Sequence, residues 1–299
     1  MEKDTKYYYN KGVAILEEGN WLMAVQLFKK CLEMDPTFTP AMHELADIYY
    51  TNGQYDAAAV ILKDAIVADP KDFDANFALG NIYFAQEKYT DALRLFKRLE
   101  QEAAEFTPEL NYNIGMTYKN LNMPDLALQY LNSAIEEDPS YYECLEPIAK
   151  LHMDAGRLEE AKKAINEGLD ADPGNINMHH MLGLIYSKEL SWKAAIEEWE
   201  TVLKLSPNTD DTLRELGWAF NMAGDYENAV NSLKKAIEMN PENLQARIDL
   251  GAVFMSNLKF EEAIDEWEKA KKDDPANPLI KKFLSDAQAL RHKEGKGGD

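Results

Sequence analysis

Only two cysteines, Cys31 and Cys144, occur among the 299 residues. That number cannot build a disulfide framework and suits a reducing compartment. No run of 18 apolar residues is present, so no membrane-spanning helix is expected. The opening stretch MEKDTKYYYNKGVAILEEGN lacks the unbroken apolar core and small residues of a secretory signal. Read as a full-length product, the chain is expected in the cytoplasm. Positive charge is scarce: 32 Lys and Arg stand against 53 Asp and Glu, a net charge of −21. Phosphate contacts need clustered cations, so nucleic acid and anionic lipid are disfavoured as partners and basic protein surfaces are favoured.

Catalytic signatures are missing as well. There is no Walker loop, no G-x-G-x-x-G, no H-E-x-x-H and no G-x-S-x-G. The terminal GKGGD has neither the strand nor the helix that a phosphate loop requires. The 53 carboxylates are expected on solvated helix faces. Neither a catalytic residue nor a cofactor nor a metal site is expected.

What is present is a regular beat. The endings CLEMDP, AIVADP, AIEEDP, GLDADP, VLKLSP, AIEMNP and AKKDDP place prolines at 36, 70, 139, 173, 207, 241 and 275. The spacing is 34 residues, except for 69 between Pro70 and Pro139. Two further series keep the same register: Gly12, Ala46, Gly80, Gly115, Ala149, Gly183, Gly217, Gly251, and Ala24, Ala58, Ala92, Ala127, Ala161, Ala195, Ala229, Ala263. Internal periods of this length signal repeat architectures. Each unit reads as two amphipathic helices. In the second unit Met42, Leu45, Ala46 and Tyr49 share one stripe, TNGQ breaks the helix, and Ala58, Leu62 and Ala65 lead to Pro70. Glycine inside a helix costs about 1 kcal/mol against alanine, so the repeated glycines imply another helix lying against the backbone. The alanine series is expected to supply the matching small surface, with large residues such as Phe28, Phe96, Trp199 and Trp267 filling the gaps beside it.

These residues together resemble the tetratricopeptide repeat (TPR) family: the small residue and aromatic of the first helix, then the alanine, large apolar residue and proline of the second. The resemblance spans residues 5–277. It implies an all-α solenoid of eight helix-turn-helix repeats, a right-handed superhelix with a concave groove lined mainly by first helices. The repeats are expected at 5–38, 39–72, 73–107, 108–141, 142–175, 176–209, 210–243 and 244–277. A capping helix at 278–290 would close the stack, and 291–299 would form a disordered tail. Repeat one departs from the pattern with Ile15 in the aromatic position, and repeat three ends EAAEFTP with its proline displaced. Pro147 falls inside the expected first helix of repeat five; that helix either starts late, near Glu146, or bends there.

Family geometry projects Tyr9, Asn10, His43, Asp47, Phe77, Asn81, Phe84, Tyr112, Asn113 and Met116 onto the concave side of repeats one to four. Rings interleaved with amides suit a peptide or helix, the rings holding apolar side chains and the amides bonding backbone. Met153, Met181, Met222 and Met255 would continue that side, as an adaptable surface or as core. The family's clamp for chaperone tails needs Lys, Asn and Arg, whereas the corresponding positions hold Tyr9, Val13, Glu44, Asp74 and Ala78, or Phe77, Asn81, Asn113, Glu143 and Pro147. That binding mode is not expected. Of the adjacent His179 and His180, one should pack and one face the groove. His152 takes a core position, Cys31 replaces a core alanine, and the setting of Cys144 stays open.

The resulting expectation is a non-catalytic adaptor that binds one or more proteins or peptides in the groove. The alternative is a self-assembling scaffold using repeat ends or convex faces, with homo-oligomers. The acidic body, neutral head (four charges of each sign in 5–38) and basic tail (+2 in 278–299) are compatible with head-to-tail contacts.

Overall fold

The computed structural model describes residues 4–102 and 107–294. Among them the regular structure is helical throughout, with no strand. The chain divides into two compact units, Met1–Pro147 and Ile148–Asp299. In the first, helices pair as hairpins: α1 (Thr5–Glu17) with α2 (Trp21–Met34), α3 (Thr39–Thr51) with α4 (Tyr55–Ala68), α5 (Phe73–Ala85) with α6 (Tyr89–Glu102), and α7 (Pro108–Asn120) with α8 (Pro124–Glu137). The division between units falls inside α9 (Leu145–Asp154). The second unit continues with α10 (Leu158–Ala171), α11 (Ile176–Lys188), α12 (Trp192–Leu205), α13 (Asp210–Met222), α14 (Tyr226–Met239), α15 (Leu244–Ser256), α16 (Phe260–Asp273) and α17 (Pro278–Glu294).

The hairpins close on one repeated contact. A Cβ added to Gly80 would lie 2.4 Å from Phe96 Cε1, and one added to Gly251 would lie 2.3 Å from Trp267 Nε1. Gly12 meets Phe28 and Gly183 meets Trp199 in the same way. The surface matching each glycine is thus the large side chain of the second helix. This corrects the expectation that the alanine series plays that part: the nearest atoms belong to the large side chain, and an alanine comes among the three nearest only at Gly115 and Gly217, where its carbonyl oxygen would lie 3.2 and 3.1 Å from an added Cβ. Where the first helix carries alanine instead, at 46 and 149, the residue 16 positions on is the smaller Leu62 or Ile165. Phe96, Trp267, Leu62 and Ile165 are all buried.

Within each hairpin the turn needs one residue in the left-handed region. Gly19, Gly53, Gly156 and Gly224 supply it in some turns, while Glu87, Asn122, Leu190 and Leu258 adopt φ near +59° in others. Between hairpins, the residue before each proline explains the recurrent acid. Asp69 is extended (φ −136°, ψ 98°), as a residue preceding proline must be. Its Oδ1 accepts from the N–H of Lys71 at 3.0 Å, reaching across the proline that has no N–H of its own. Asp35, Asp138, Asp172, Asn240 and Asp274 repeat this turn. The paired bonds from Ser140 hold the Asp138 carboxyl below its ordinary pKa.

Three local features differ from or sharpen the sequence reading. α17 runs to Glu294, so residues 291–294 extend the cap; no Gly or Pro occurs from 279 to 294, and Arg291 suits a helix C-terminus. Residues 295–299 of the expected tail lie outside the described residues. So do residues 103–106 of the EAAEFTP stretch, but its displaced proline is the first residue of α7, capped by Thr107 Oγ1 accepting from Leu110 N at 3.2 Å. Pro147 sits in the first turn of α9, after a 3-10 turn at Tyr142–Cys144. There it costs no intrahelical bond, because the first four helical N–H groups have no partner.

Two stability predictions follow from these contacts. Gly80→Ala should destabilise the first unit by about 1–3 kcal/mol through overpacking, and adding Phe96→Leu should recover much of the loss, as measured by urea unfolding. Leu190 is 68% exposed in the left-handed region, so Leu190→Gly should stabilise the second unit by about 0.5–1 kcal/mol, read from the same melts.

Candidate functional site

First helices of successive hairpins lie side by side, and a polar ladder links them. Two residues before the recurrent small position the chain has Asn10, Glu44, Ala78, Asn113, Pro147, Met181, Glu215 and Asp249; one place earlier it has Tyr9, His43, Phe77, Tyr112, Glu146, His180, Arg214 and Ile248. A member of the second column bonds a member of the first, 35 residues on. Tyr9 Oη donates to Glu44 Oε1 at 3.4 Å. His180 Nε2 lies 2.7 Å from Glu215 Oε2, and Arg214 Nη1 donates to Asp249 Oδ2 at 3.2 Å. Asp249 is only 8% exposed, and burial raises its carboxyl pKa despite bonds from Gln245 and Arg214.

His43 has no such partner, because the residue 35 positions on is Ala78. Its Nε2 instead lies 2.8 Å from Asp72 Oδ2. At the place left by the missing ladder group there is a cavity of about 290 Å³ between α3 and α5. His43, Asp47 and Tyr50 line it from α3, Asp74, Ala78 and Asn81 from α5, and Ala46, Leu62 and Ile82 form apolar wall. Spacings of four and three residues put each set on one helix face. Asn81 Oδ1 is cut off from solvent and meets no donor, a state that costs about 1–3 kcal/mol. His43, Asp72 and Asp74 also bring a ring nitrogen and two carboxylate oxygens within 4.8 Å of one another. Asp72 is already used by the fold, however: its Oδ1 caps α5 by accepting from Ala75 N at 2.9 Å, and its Oδ2 faces His43.

Of the ten residues projected onto the groove, the cavity gathers His43, Asp47 and Asn81. Tyr9 is held by Glu44 and by the rings of Phe28 and Phe38. Phe77 stacks on Phe73, with ring centres 5.8 Å apart, and tilts against Phe96. Phe84 meets Tyr89 edge-on at 5.4 Å, and Tyr112 meets Tyr141 at 5.7 Å. These rings are half-buried in packing of their own neighbourhood. Burial raises the Tyr112 hydroxyl pKa and pushes that of Tyr141 to about 12. Asn10 is exposed, while Asn113 and Met116 are half-buried and accept through their carbonyls from Thr117 and Asn120. Tyr50, Asp74 and Ala78 are the cavity residues that the projection omitted as binding groups. Ala78 carries the signal, as a small apolar residue in a column otherwise rich in amides and acids.

The remaining candidates are tied into the fold. His179 lies 2.7 Å from Glu198 Oε2 and 3.1 Å from the Pro173 carbonyl, so both adjacent histidines are engaged by carboxylates. His152 is half-buried, and burial lowers its pKa. Cys31 and Cys144 are buried, the Cys144 thiol being pushed to about 12; thiolate chemistry at neutral pH is thereby suppressed. Met255 packs against the core around Trp267, whereas Met222 is exposed.

Stacked helix hairpins with a small residue set against a bulky one define a TPR solenoid. The chain belongs to the tetratricopeptide repeat proteins and, among them, to the family described as the cilia and flagella-associated protein 70 C-terminal domain, whose model matches residues 71–289. Tetratricopeptide repeat models also match 16–66 and 46–87. The TPR repeat-containing protein YpiA of Bacillus subtilis is 23% identical over 262 residues, covering 75% of this chain and 60% of its own length. The BBSome complex member BBS4 of Bos taurus is 23% identical, covering 72% of this chain and 50% of its own length. The chain thus spans between half and three-fifths of these relatives. Among solved structures, the C-terminal part of a TPR repeat-containing protein from Cytophaga hutchinsonii superposes with a TM-score of 0.68 at 16% identity, over 81% of this chain and 99% of that one. A chain of the APC/C hetero-tetramer Cut9-Hcn1 superposes with a TM-score of 0.59 at 16% identity, over 91% of this chain and 55% of that one. Among the described residues no helix is long and apolar enough to cross a membrane.

The ladder carries a pH prediction. The hydrogen bond from Glu215 raises the His180 pKa more than burial lowers it. Its folded value therefore exceeds the unfolded value of about 6.5, and the stability it adds is fully present below that value and lost as pH rises through the folded pKa. The stability difference between the wild type and His180→Gln, measured by urea melts at a series of pH values, should shrink across that window.

Proposed function

We propose that this chain is a non-catalytic adaptor that holds a segment of a partner protein against the first helices of its N-terminal unit, at the cavity between α3 and α5. The observation that carries this reading is the cavity itself: a solvent-open recess with an apolar wall, an unmet amide acceptor and two carboxylates, Asp47 and Asp74, which meet no cation among the described residues. Three described rungs satisfy one another, Tyr9 with Glu44, His180 with Glu215 and Arg214 with Asp249, whereas at Ala78 the missing rung coincides with a recess that leaves binding capacity for another molecule. Cavities with a few convergent polar groups on apolar walls are the usual form of a recognition site. Support also comes from relatives whose names place them in assemblies, the BBSome member and the APC/C proteins.

The test is affinity capture from native extract with the wild-type chain beside Asp47→Lys/Asp74→Lys. Both aspartates are exposed, so the variant should fold with an unchanged melting profile. A partner held by the wild type and depleted about tenfold or more from the variant, the equivalent of about 1.4 kcal/mol, is the expected result. Equal retention of every partner by both baits, or recovery of nothing but copies of the chain, would overturn the reading.

A further inference from the structure

Resting on the reading just given, we infer that the cavity between α3 and α5 is a receptor for one lysine side chain of the partner segment. Its polar lining contains acceptors in excess: the Asp47 and Asp74 carboxylates and the Asn81 amide oxygen, which lacks any donor. His43 has its Nε2 engaged by Asp72. No Lys or Arg lines the recess, and no hydrogen bond or ion pair of the Asp47 or Asp74 side chain occurs among the described residues. A neutral occupant would leave both carboxylates without a counter-charge. A cation supplies one and meets the unsatisfied acceptor.

The apolar part of the lining selects among cations. Ala46, Leu62, Ala78 and Ile82 present hydrocarbon, which a bare metal ion cannot use but the four-carbon stem of lysine can. Tyr50 lines the recess, 40% exposed, with its ring packed against Tyr55 at 5.5 Å, and adds an aromatic surface beside an ammonium. The volume of about 290 Å³ lies at the bottom of the range for small-molecule pockets, about 300–1,000 Å³, and fits one side chain better than a cofactor. Between the two basic side chains, an ammonium with three rotatable donors suits three acceptors spread over two helices. A guanidinium is a rigid planar fork that favours a single bidentate carboxylate. The net charge of −21 adds attraction for a basic segment at longer range.

The test uses the full chain, labelled with nitrogen-15, and small probes titrated by NMR: Nα-acetyl-lysine methylamide, its arginine counterpart, and the norleucine counterpart that keeps the stem and lacks the charge. The lysine probe should give saturable shifts at the Asn81 side-chain amide and at the backbone of Ala46 and Ala78. The arginine probe should bind more weakly and the norleucine probe should leave these signals in place. Asp47→Asn/Asp74→Asn should weaken the lysine probe about fivefold to tenfold, as two partly exposed ion pairs would, with spectra elsewhere unchanged. Raising salt from about 0.01 M to about 0.1 M, which shortens screening from about 30 Å to about 10 Å, should weaken it as well.

The inference is overturned if norleucine or arginine binds as well as lysine, if the neutral variant binds lysine undiminished, or if no probe shifts these residues. It is equally overturned if zinc or magnesium alone shifts His43 and Asn81 while the lysine probe does not, which would make His43, Asp72 and Asp74 a metal site. The capture experiment fails separately. Partner loss with the Lys variant but no lysine-probe binding would retain the groove and remove the lysine; lysine-probe binding with unaltered capture would do the reverse.

Discussion

The close approach of a first-helix backbone to a bulky side chain of the second helix is the contact on which the molecule rests. Removing a Cβ at Gly80 or Gly251 lets Phe96 or Trp267 lie directly on the helix axis opposite. The ring is buried between the helices, and close packing of this kind supports the hairpin. Glycine's cost in helix propensity is offset by burying a whole aromatic side chain, worth about 1.5–3 kcal/mol by its apolar area. Where the second helix brings only Leu62 or Ile165, alanine at 46 or 149 fills the difference. At those two hairpins the alanine offsets the smaller partner, whereas Gly115 and Gly217 face Leu131 and Leu233.

Once hairpins of constant geometry stack, side chains 35 residues apart face one another along adjacent first helices. That register turns two sequence columns into the ladder of Tyr9 with Glu44, His180 with Glu215 and Arg214 with Asp249. A groove of this kind is largely occupied with its own polar groups. Recognition can arise where a rung is absent, and Ala78 removes one. The same alanine leaves His43 to find Asp72, opens the recess, and exposes Asp47 and Asp74 without partners. Structure and candidate function are linked here by a missing side chain.

The helix pairs and their boundaries near the prolines were legible in the residues, because each recurs at a fixed period and periodicity is a one-dimensional property. The helix holding Pro147 begins at Leu145, one of the two readings its proline allowed. The identity of the surface opposite the glycines was misread. Both the alanine and the large residue recur at the same interval, and periodicity cannot say which one the backbone meets. The acid before each proline went unexplained for another reason: its bond to the N–H two residues on depends on an extended backbone that only the turn geometry displays.

The groove divides along the same line. Sequence by itself determined which residues occupy first-helix positions, and His43, Asp47 and Asn81 were among them. Tertiary structure alone decided that Phe77, Phe84 and Tyr112 rest against Phe73, Tyr89 and Tyr141, and that His43, Asp47 and Asn81 share one recess. The physical reason is that period and polarity assign a side chain to a helix face, whereas a cavity is defined by what two helices fail to fill between them. That failure belongs to the pair, and appears only when Ala46 and Ala78 are brought face to face.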